Sequence, residues 1–158
     1  MTHTSLNPIL VVDFDGVLNH NRWFASKAAL SELDRERVGF DPEAIARLNR
    51  IVERSGAGVV ISSKWRATRS ILQLQALLER NGFTGEVIGK TPSQLGLGDR
   101  GEEIAAWVRL ARFQGPYAVL DDIDQVGAVQ SHFVKVDPAV GLQDEQVEAA
   151  LRLLKGEA

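Results

Sequence analysis

Short apolar runs alternate with amphipathic helical patterns along most of the chain, and this alternation constrains the fold more than any other feature. The first run, Ile9–Val12, is apolar at every position, which is typical of a strand buried on both faces of a sheet. Four further runs predict strands at residues 58–62, 86–89, 117–120 and 133–136. Because helical stripes separate these runs, we expect right-handed βαβ crossovers and an α/β fold, a doubly wound (Rossmann-like) parallel sheet of about five strands.

Length and composition narrow the class of protein. The 158 residues predict a single domain over residues 1–158, and the absence of cysteine excludes disulfide scaffolds, thiolate zinc sites and thiol catalysis. A formal charge of -3 disfavours a protein that coats nucleic acid generally, so any polyanion contact would be local. No apolar run approaches the roughly 18–20 residues of a membrane span, and the first residues lack a signal-peptide pattern. We therefore expect a cytoplasmic protein with no membrane partner, and a monomer by default.

Carboxylates and a hydroxyl follow three of the predicted strands. Asp13 and Asp15 come after the first strand, Ser62 ends the second, and Asp121 and Asp122 follow the fourth. Because ligands of such sheets bind beyond the carboxyl ends of the strands, we expect these side chains to meet at one edge. Clustered carboxylates repel one another, and a hard divalent cation such as Mg²⁺ would relieve that repulsion. The alternative, that these acids are turn or capping residues, suits one strand better than three.

These segments resemble the ordered motifs of the haloacid dehalogenase-like (HAD) phosphohydrolases. Residues 11–17, VVDFDGV, resemble the first motif, a hydrophobic residue followed by Asp-x-Asp-Gly-Thr/Val. Residues 59–62, VVIS, resemble the second motif, and residues 120–122, LDD, resemble the fourth in its adjacent-Asp form. The third motif is usually a lysine, and here Arg100 occupies that place, with Lys90 as a second candidate.

A narrower resemblance involves further segments of the chain. Residues 61–66 (ISSKWR), residues 100–104 (RGEEI) with Trp107, and residues 132–138 (HFVKVDP) are similar to the HAD domain of bacterial "Swiss Army Knife" RNA repair proteins. In those proteins the domain is inferred to be an end-processing phosphatase. The resemblance therefore points to phosphorylated RNA or DNA ends as the substrate.

The resemblance implies a phosphatase that works through an aspartyl-phosphate. Asp13 would be the nucleophile, and Asp15 would protonate the leaving oxygen and then help to deprotonate water. If the first strand continues, these two side chains share one of its faces, since they are two residues apart. Ser62 would bond to a phosphoryl oxygen, and Arg100 would offset negative charge on the transferred group.

The same resemblance implies Mg²⁺ as the cofactor. The ion would be held by the carboxylate of Asp13, the main-chain carbonyl of Asp15, and one or both of Asp121 and Asp122. Of this pair, we expect Asp122 to bind the ion directly and Asp121 to have an orienting role.

Chain lengths and local charge bear on the substrate. In the HAD superfamily that the chain resembles, inserts after the first motif or before the fourth strand form a cap over the site. The stretch of 24 residues from 17 to 40 and the loop of 10 residues from 90 to 99 are too short for such a cap domain. An open site of this kind suits large substrates. Ser63, Lys64 and Arg66 follow the second strand and are predicted to bind substrate, and Trp65 beside them could stack a base. The alternative is a solvated helix start with Trp65 packed on the 17–40 stretch.

Other functions stay open at this point. A small-molecule HAD phosphatase would carry the same motifs. An inactive HAD-like binding module is a further alternative, but the intact Asp13/Asp15 and Asp121/Asp122 pairs argue against it. A phosphoacceptor receiver domain also combines a doubly wound sheet with acids after the first strand. However, a receiver needs its acceptor aspartate after the third strand, where Gly89 and Lys90 stand.

Overall fold

Five parallel strands form one sheet in the computed structural model, which describes residues 7–26, 39–93 and 99–156. The strands are β1 (Ile9–Val12), β2 (Gly58–Ile61), β3 (Val87–Lys90), β4 (Tyr117–Asp121) and β5 (Phe133–Lys135). Their order across the sheet is β3-β2-β1-β4-β5, and every neighbouring pair is parallel. The predicted α/β fold with a parallel sheet of about five strands is confirmed.

Helices connect the strands and cover the sheet. The described α-helices are α1 (Asn21–Phe24), α2 (Pro42–Ser55), α3 (Ile71–Arg80), α4 (Arg100–Leu110) and α5 (Asp144–Leu154), and the 3₁₀ helices are η1 (Lys64–Thr68) and η2 (Gly127–His132). Helix α2 begins at Pro42 because the Asp41 side chain caps it by accepting a hydrogen bond from the Glu43 N–H, and proline suits the first helical position. The short helices α1, η1 and η2 were not predicted, since they are too short to show an apolar period.

The sheet is covered on both faces, which explains why β1 is apolar at every position. Helices α2, α3 and α5 pack on one face, and the core there includes Leu10, Val12, Leu48, Leu74 and Val147. Helices α4 and η2 cover the other face around Val11, Val60, Ile104, Val119 and Val129. Because every β1 side chain is buried, the run could not alternate with polar residues.

The strand order reverses beside β1. The chain adds β2 and β3 on one side of β1 and then returns to add β4 and β5 on the other. Val12 pairs with Leu120, so the residues that follow β1 and end β4 come together at the carboxyl edge. Ligands of open α/β sheets bind at such a reversal. The observed order differs from the 2-1-3-4-5 order of receiver-type folds, so the receiver alternative is wrong.

The two described ends of the 17–40 stretch are tied to each other. The Asp41 N–H donates to the Leu18 carbonyl at 2.9 Å, and His20 Nε2 lies 2.6 Å from Asp41 Oδ2. The indole N–H of Trp23 donates to the Gly39 carbonyl at 3.2 Å. Residues 27–38 of this stretch and residues 94–98 of the second loop lie outside the described residues. Within the described ranges there is no cap domain.

One further finding concerns membranes. Among the described residues, no helix combines the length and the apolar character that crossing a bilayer requires.

Candidate active site

Three carboxylates meet at the carboxyl edge where the strand order reverses. Asp13 follows β1, Asp121 is the last residue of β4, and Asp122 follows it. One oxygen from each of the three lies within 4.8 Å of the others. Asp121 is fully buried and Asp13 is 5% exposed, so this negative charge is largely shielded from water. An all-oxygen donor set at this spacing fits a hard divalent cation such as Mg²⁺.

The electrostatics of this cluster also fit a cation. Burial, reinforced by the charge of Asp121, raises the pKa of Asp13 to about 8, although Arg100 partly opposes the shift. Burial and the neighbouring Asp121 also raise the pKa of Asp122. The folded protein therefore holds carboxyl groups that resist full ionisation until positive charge is supplied.

Arg100 supplies part of that positive charge. It is the first residue of α4, and its Nη1 lies 2.5 Å from Asp121 Oδ2 and 3.5 Å from Asp13 Oδ2. A cation at a helix N-terminus opposes the helix dipole, so the two carboxylates must outweigh that cost. Burial alone would lower the pKa of Arg100, but the attraction of Asp13 and Asp121 raises it instead.

Lys90, the second candidate for the basic motif, lies elsewhere. Its ammonium group donates to the main-chain oxygens of Arg66 and Arg69 at 3.1 and 2.8 Å. Lys90 therefore stabilises the turn after β2, and Arg100 is the basic residue that contacts the carboxylates.

Asp121 and Asp122 have different surroundings. Asp121 Oδ1 accepts hydrogen bonds from the N–H groups of Asp122 and Ile123 at 2.8 and 3.3 Å, and its Oδ2 contacts Arg100. Both oxygens of Asp121 thus already have protein partners. Asp122 is only half-buried, and its carboxylate lies over Gly16, where an added Cβ would clash with Asp122 Oδ2. These surroundings agree with Asp122 as the more available ligand, and that assignment stays a prediction.

Gly16→Ala is expected to weaken Mg²⁺ binding about tenfold or more. Gly16 has a φ of 85°, and the added methyl group would displace the Asp122 carboxylate. Gly56→Ala is the matched control, because Gly56 has a φ of 73° with nothing within 4 Å of an added Cβ. The control should lose about 1 kcal/mol of folding free energy and keep its Mg²⁺ affinity. Calorimetric titration of both variants tests this, and equal affinities would contradict the placement of Asp122.

Asp15 lies outside the three-carboxylate cluster. Because β1 ends at Val12, the strand does not continue to Asp15, and the condition under which Asp13 and Asp15 would share a strand face is not met. Asp15 Oδ1 accepts from the Asn19 side-chain amide at 3.0 Å, and Oδ2 accepts from the Trp65 indole N–H at 3.1 Å. Sequence reasoning missed Asn19, for which the available signal was an asparagine in the turn that follows Asp-Gly.

Two serines follow β2, and their hydroxyl groups have different surroundings. The Ser62 hydroxyl is buried and has no hydrogen-bond partner within the described structure. An orphaned buried hydroxyl requires an explanation, and a phosphoryl oxygen bound at this edge would supply the missing partner. The Ser63 hydroxyl accepts from the Trp65 N–H at 3.3 Å and caps η1, which gives it a local structural role.

The Arg66 side chain is buried, although its positive charge had suggested contact with substrate. Its side chain is 4% exposed, and the guanidinium donates to the carbonyls of Ser62, Ser63 and Thr91, each at 2.8 Å. It also pairs with Glu103 of α4 at 3.0 Å, and burial lowers its pKa. Arg66 therefore ties the ends of β2 and β3 to α4, and these contacts do not favour the prediction that it binds substrate. Lys64, also predicted to bind substrate, is exposed.

The ring of Trp65 is already packed. It makes an edge contact with Phe14 at 5.7 Å and a tilted contact with Phe40 at 5.5 Å between ring centroids. The Arg69 guanidinium lies over the ring, 5.1 Å from its centroid. These contacts favour the alternative in which Trp65 packs against the 17–40 stretch through Phe40, and they do not support stacking on a nucleic-acid base.

Comparison with models of protein families identifies the family to which the chain belongs. The family model described as "HAD domain in Swiss Army Knife RNA repair proteins" matches residues 9–147. The chain belongs to this family. Searches of curated proteins and of solved structures gave no match. The matched segment of this HAD domain runs from β1 into α5 and includes every residue of the site described above, which confirms the family resemblance read from the motifs.

Proposed function

We propose that this HAD domain is a Mg²⁺-dependent phosphomonoesterase that acts on phosphorylated RNA ends through an aspartyl-phosphate on Asp13. The observation that carries the proposal is the buried Asp13 carboxylate beside Asp121, Asp122 and Arg100, at the reversal of strand order. A buried acidic cluster with one guanidinium suits phosphoryl transfer, in which charge must be neutralised where two anions meet.

In the first step, an oxygen of Asp13 attacks phosphorus and the bond to the leaving oxygen breaks, while Asp15 donates a proton to that oxygen. In the second step, water attacks the phosphorus of the aspartyl-phosphate, Asp15 accepts a proton from that water, and the bond to Asp13 breaks. Inorganic phosphate is released and both carboxyl groups return to their starting states. Ser62 would donate its unpartnered hydroxyl to a phosphoryl oxygen.

Positive charge is needed in both steps of this reaction. Arg100 contacts the nucleophile and Asp121, so it would offset charge on the transferred group and hold both carboxylates in place. Mg²⁺ held by Asp13 and Asp122, with Asp121 in an orienting role and the main-chain carbonyl of Asp15 as a further expected ligand, would let the anionic nucleophile and phosphate approach.

RNA ends are proposed as the substrate on two grounds. The family is described by its occurrence in RNA repair proteins. In addition, the described residues contain no cap domain over the site, and exposed Lys64 stands at the start of η1, just beyond β2. Of the residues predicted to bind substrate beside the transferred phosphate, exposed Lys64 is the contact that we propose, since the buried Ser63 hydroxyl caps η1.

A substrate panel tests the proposal. RNA and DNA oligomers with 3′- or 5′-phosphates are compared with nucleotides and sugar phosphates, with Mg²⁺ and with a chelator. We expect Mg²⁺-dependent phosphate release that is fastest from RNA ends. Turnover of sugar phosphates alone would support a small-molecule phosphatase and contradict RNA-end processing. No release from any substrate would favour a binding module and contradict the catalytic proposal.

Mg²⁺ affinity is expected to rise with pH up to about pH 8, by as much as about tenfold per pH unit. The reason is that Asp13, with its pKa raised to about 8, must lose a proton before it can bind the ion. By the same linkage, the free energy of unfolding of the metal-free protein should fall between about pH 4 and about pH 8. Over that range the folded state retains a proton that the unfolded chain has lost. Calorimetry in two buffers of different ionisation enthalpy measures the proton released, and a pH-independent affinity would contradict this assignment.

A further inference from the structure

We propose that Trp65 is a positioning residue for the proton-transfer step: its indole N–H holds the Asp15 carboxylate in the orientation needed to protonate the leaving oxygen. The inference rests on the proposed function, in which Asp15 is the acid and base. It adds a residue to that function, and it replaces nucleic-acid stacking as the role of this tryptophan.

Each oxygen of Asp15 has one N–H donor. Trp65 Nε1 donates to Oδ2 at 3.1 Å, and Asn19 Nδ2 donates to Oδ1 at 3.0 Å. Asn19 is fully buried, and its own Oδ1 accepts from the Gly16 N–H at 3.2 Å, which settles the orientation of its amide group. Two donors at opposite oxygens fix the plane of the carboxylate, and each oxygen keeps a second lone pair for a proton. Asp15 is therefore held in one orientation and remains able to transfer a proton.

The two donors come from different parts of the chain. Asn19 lies in the same turn as Asp15, whereas Trp65 lies in η1, fifty positions along, after β2. The Trp65 contact therefore joins the turn after β1 to the end of the neighbouring strand. Without it, only Asn19, a donor from the same turn as Asp15, would orient the carboxylate.

Packing holds the Trp65 ring in the position this contact needs. The Ser63 hydroxyl caps η1 by accepting from the main-chain N–H of Trp65, and Phe14, Phe40 and Arg69 contact the ring. A side chain fixed in this way contributes orientation without losing further rotamer freedom during the reaction. Phe40 lies at the far end of the 17–40 stretch, so the same packing connects that stretch to the proton donor.

The first experiment compares Trp65→Phe with the wild-type protein on phosphate esters of graded leaving-group acidity, from p-nitrophenyl phosphate to alkyl phosphates. It uses kcat/KM, which reports steps up to departure of the leaving group. The kcat/KM of the variant should fall about 10–100-fold on alkyl phosphates, which need a proton donor. On p-nitrophenyl phosphate it should change by no more than about twofold. Trp107→Phe removes an indole that packs on the opposite face of the sheet and should leave both values unchanged.

A double-mutant cycle with Asp15→Asn separates positioning from a general structural effect. Once Asp15 cannot donate a proton, Trp65→Phe should cause little further loss on alkyl phosphates. An equal loss on every substrate, or a full additional loss in the Asp15→Asn background, would overturn the proposal.

A spectroscopic measurement tests the contact without relying on turnover. In ¹⁵N-labelled protein, Asp15→Asn should shift the indole N–H resonance of Trp65, which is assigned from its absence in Trp65→Phe, and leave that of Trp107 in place. An unshifted Trp65 resonance would overturn the proposal directly. If the wild-type protein releases no phosphate from any ester, the proposed function fails and the catalytic role of Trp65 fails with it. A shifted resonance in that case would establish only a structural contact.

Discussion

Replacing Asp13 by asparagine is expected to lower phosphate release by a factor on the order of a thousand or more, while the domain stays folded. Asparagine keeps the size of the side chain, and its amide oxygen can accept the 2.9 Å hydrogen bond from the Phe14 N–H. It lacks the carboxylate that attacks phosphorus, so no acyl-phosphate forms. The measurement is the initial rate of inorganic phosphate release with saturating Mg²⁺.

The same substitution should raise the melting temperature of the metal-free protein above about pH 8. There, Asp13 is ionised in both the folded and the unfolded state, and burial makes its charge costly only in the folded one. A gain in stability joined to a loss of activity distinguishes removal of a nucleophile from unfolding. Asp124→Asn is the control, since Asp124 is exposed and pairs with Lys135 at 2.7 Å outside the cluster. Full activity in Asp13→Asn, or an equal loss in the control, would contradict the assignment.

Replacing Arg100 by methionine is expected to destabilise the metal-free protein by about 3 kcal/mol at neutral pH. Arg100 lies 2.5 Å from Asp121 Oδ2 and 3.5 Å from Asp13 Oδ2, and its side chain is only 17% exposed. Methionine preserves much of the length and packing but leaves the buried carboxylates without their counter-charge. Mg²⁺ should restore much of the lost stability, because a divalent cation at the same cluster supplies positive charge.

Denaturant unfolding with Mg²⁺ and with a chelator measures both effects on Arg100→Met. Lys135→Met is the matched control, because it breaks an exposed ion pair with Asp124 and should change stability little in either condition. A variant as stable as the wild-type protein in the chelator would contradict the role of Arg100. Equal destabilisation with and without Mg²⁺ would contradict the location of the metal site.

The main part of the fold could be predicted because one physical pattern recurs. A strand buried on both faces must be apolar at every position, and Ile9–Val12 shows this directly. That pattern predicts a parallel sheet and places Asp13 and Asp121 at its carboxyl edge. The alternation of strands and helices does not predict which strands are neighbours in the sheet. Pairing of β1 with β4, which brings the two aspartates together, is observed only in the structure.

The roles of the residues after β2 could not be predicted in the same way. Arg66 and Lys64 are both basic and two positions apart, yet one is buried and the other exposed. What decides the difference is a set of carbonyl oxygens at the ends of β2 and β3, and Thr91 lies 25 positions from Arg66. No local periodicity encodes such a contact. The indole N–H of Trp65 reaches Asp15 for the same reason, through packing across neighbouring strands.

The central claim is that Asp13 carries the phosphoryl group during turnover. The most direct test mixes protein in excess with a 5′- or 3′-phosphorylated RNA oligomer and Mg²⁺, quenches the reaction in acid within one turnover, and maps covalent phosphate by peptide mass spectrometry. We predict phosphate on Asp13 in the wild-type protein and no such adduct in Asp13→Asn, which lacks the attacking carboxylate. Phosphate released from the oligomer with no adduct on Asp13 at any quench time would contradict the account.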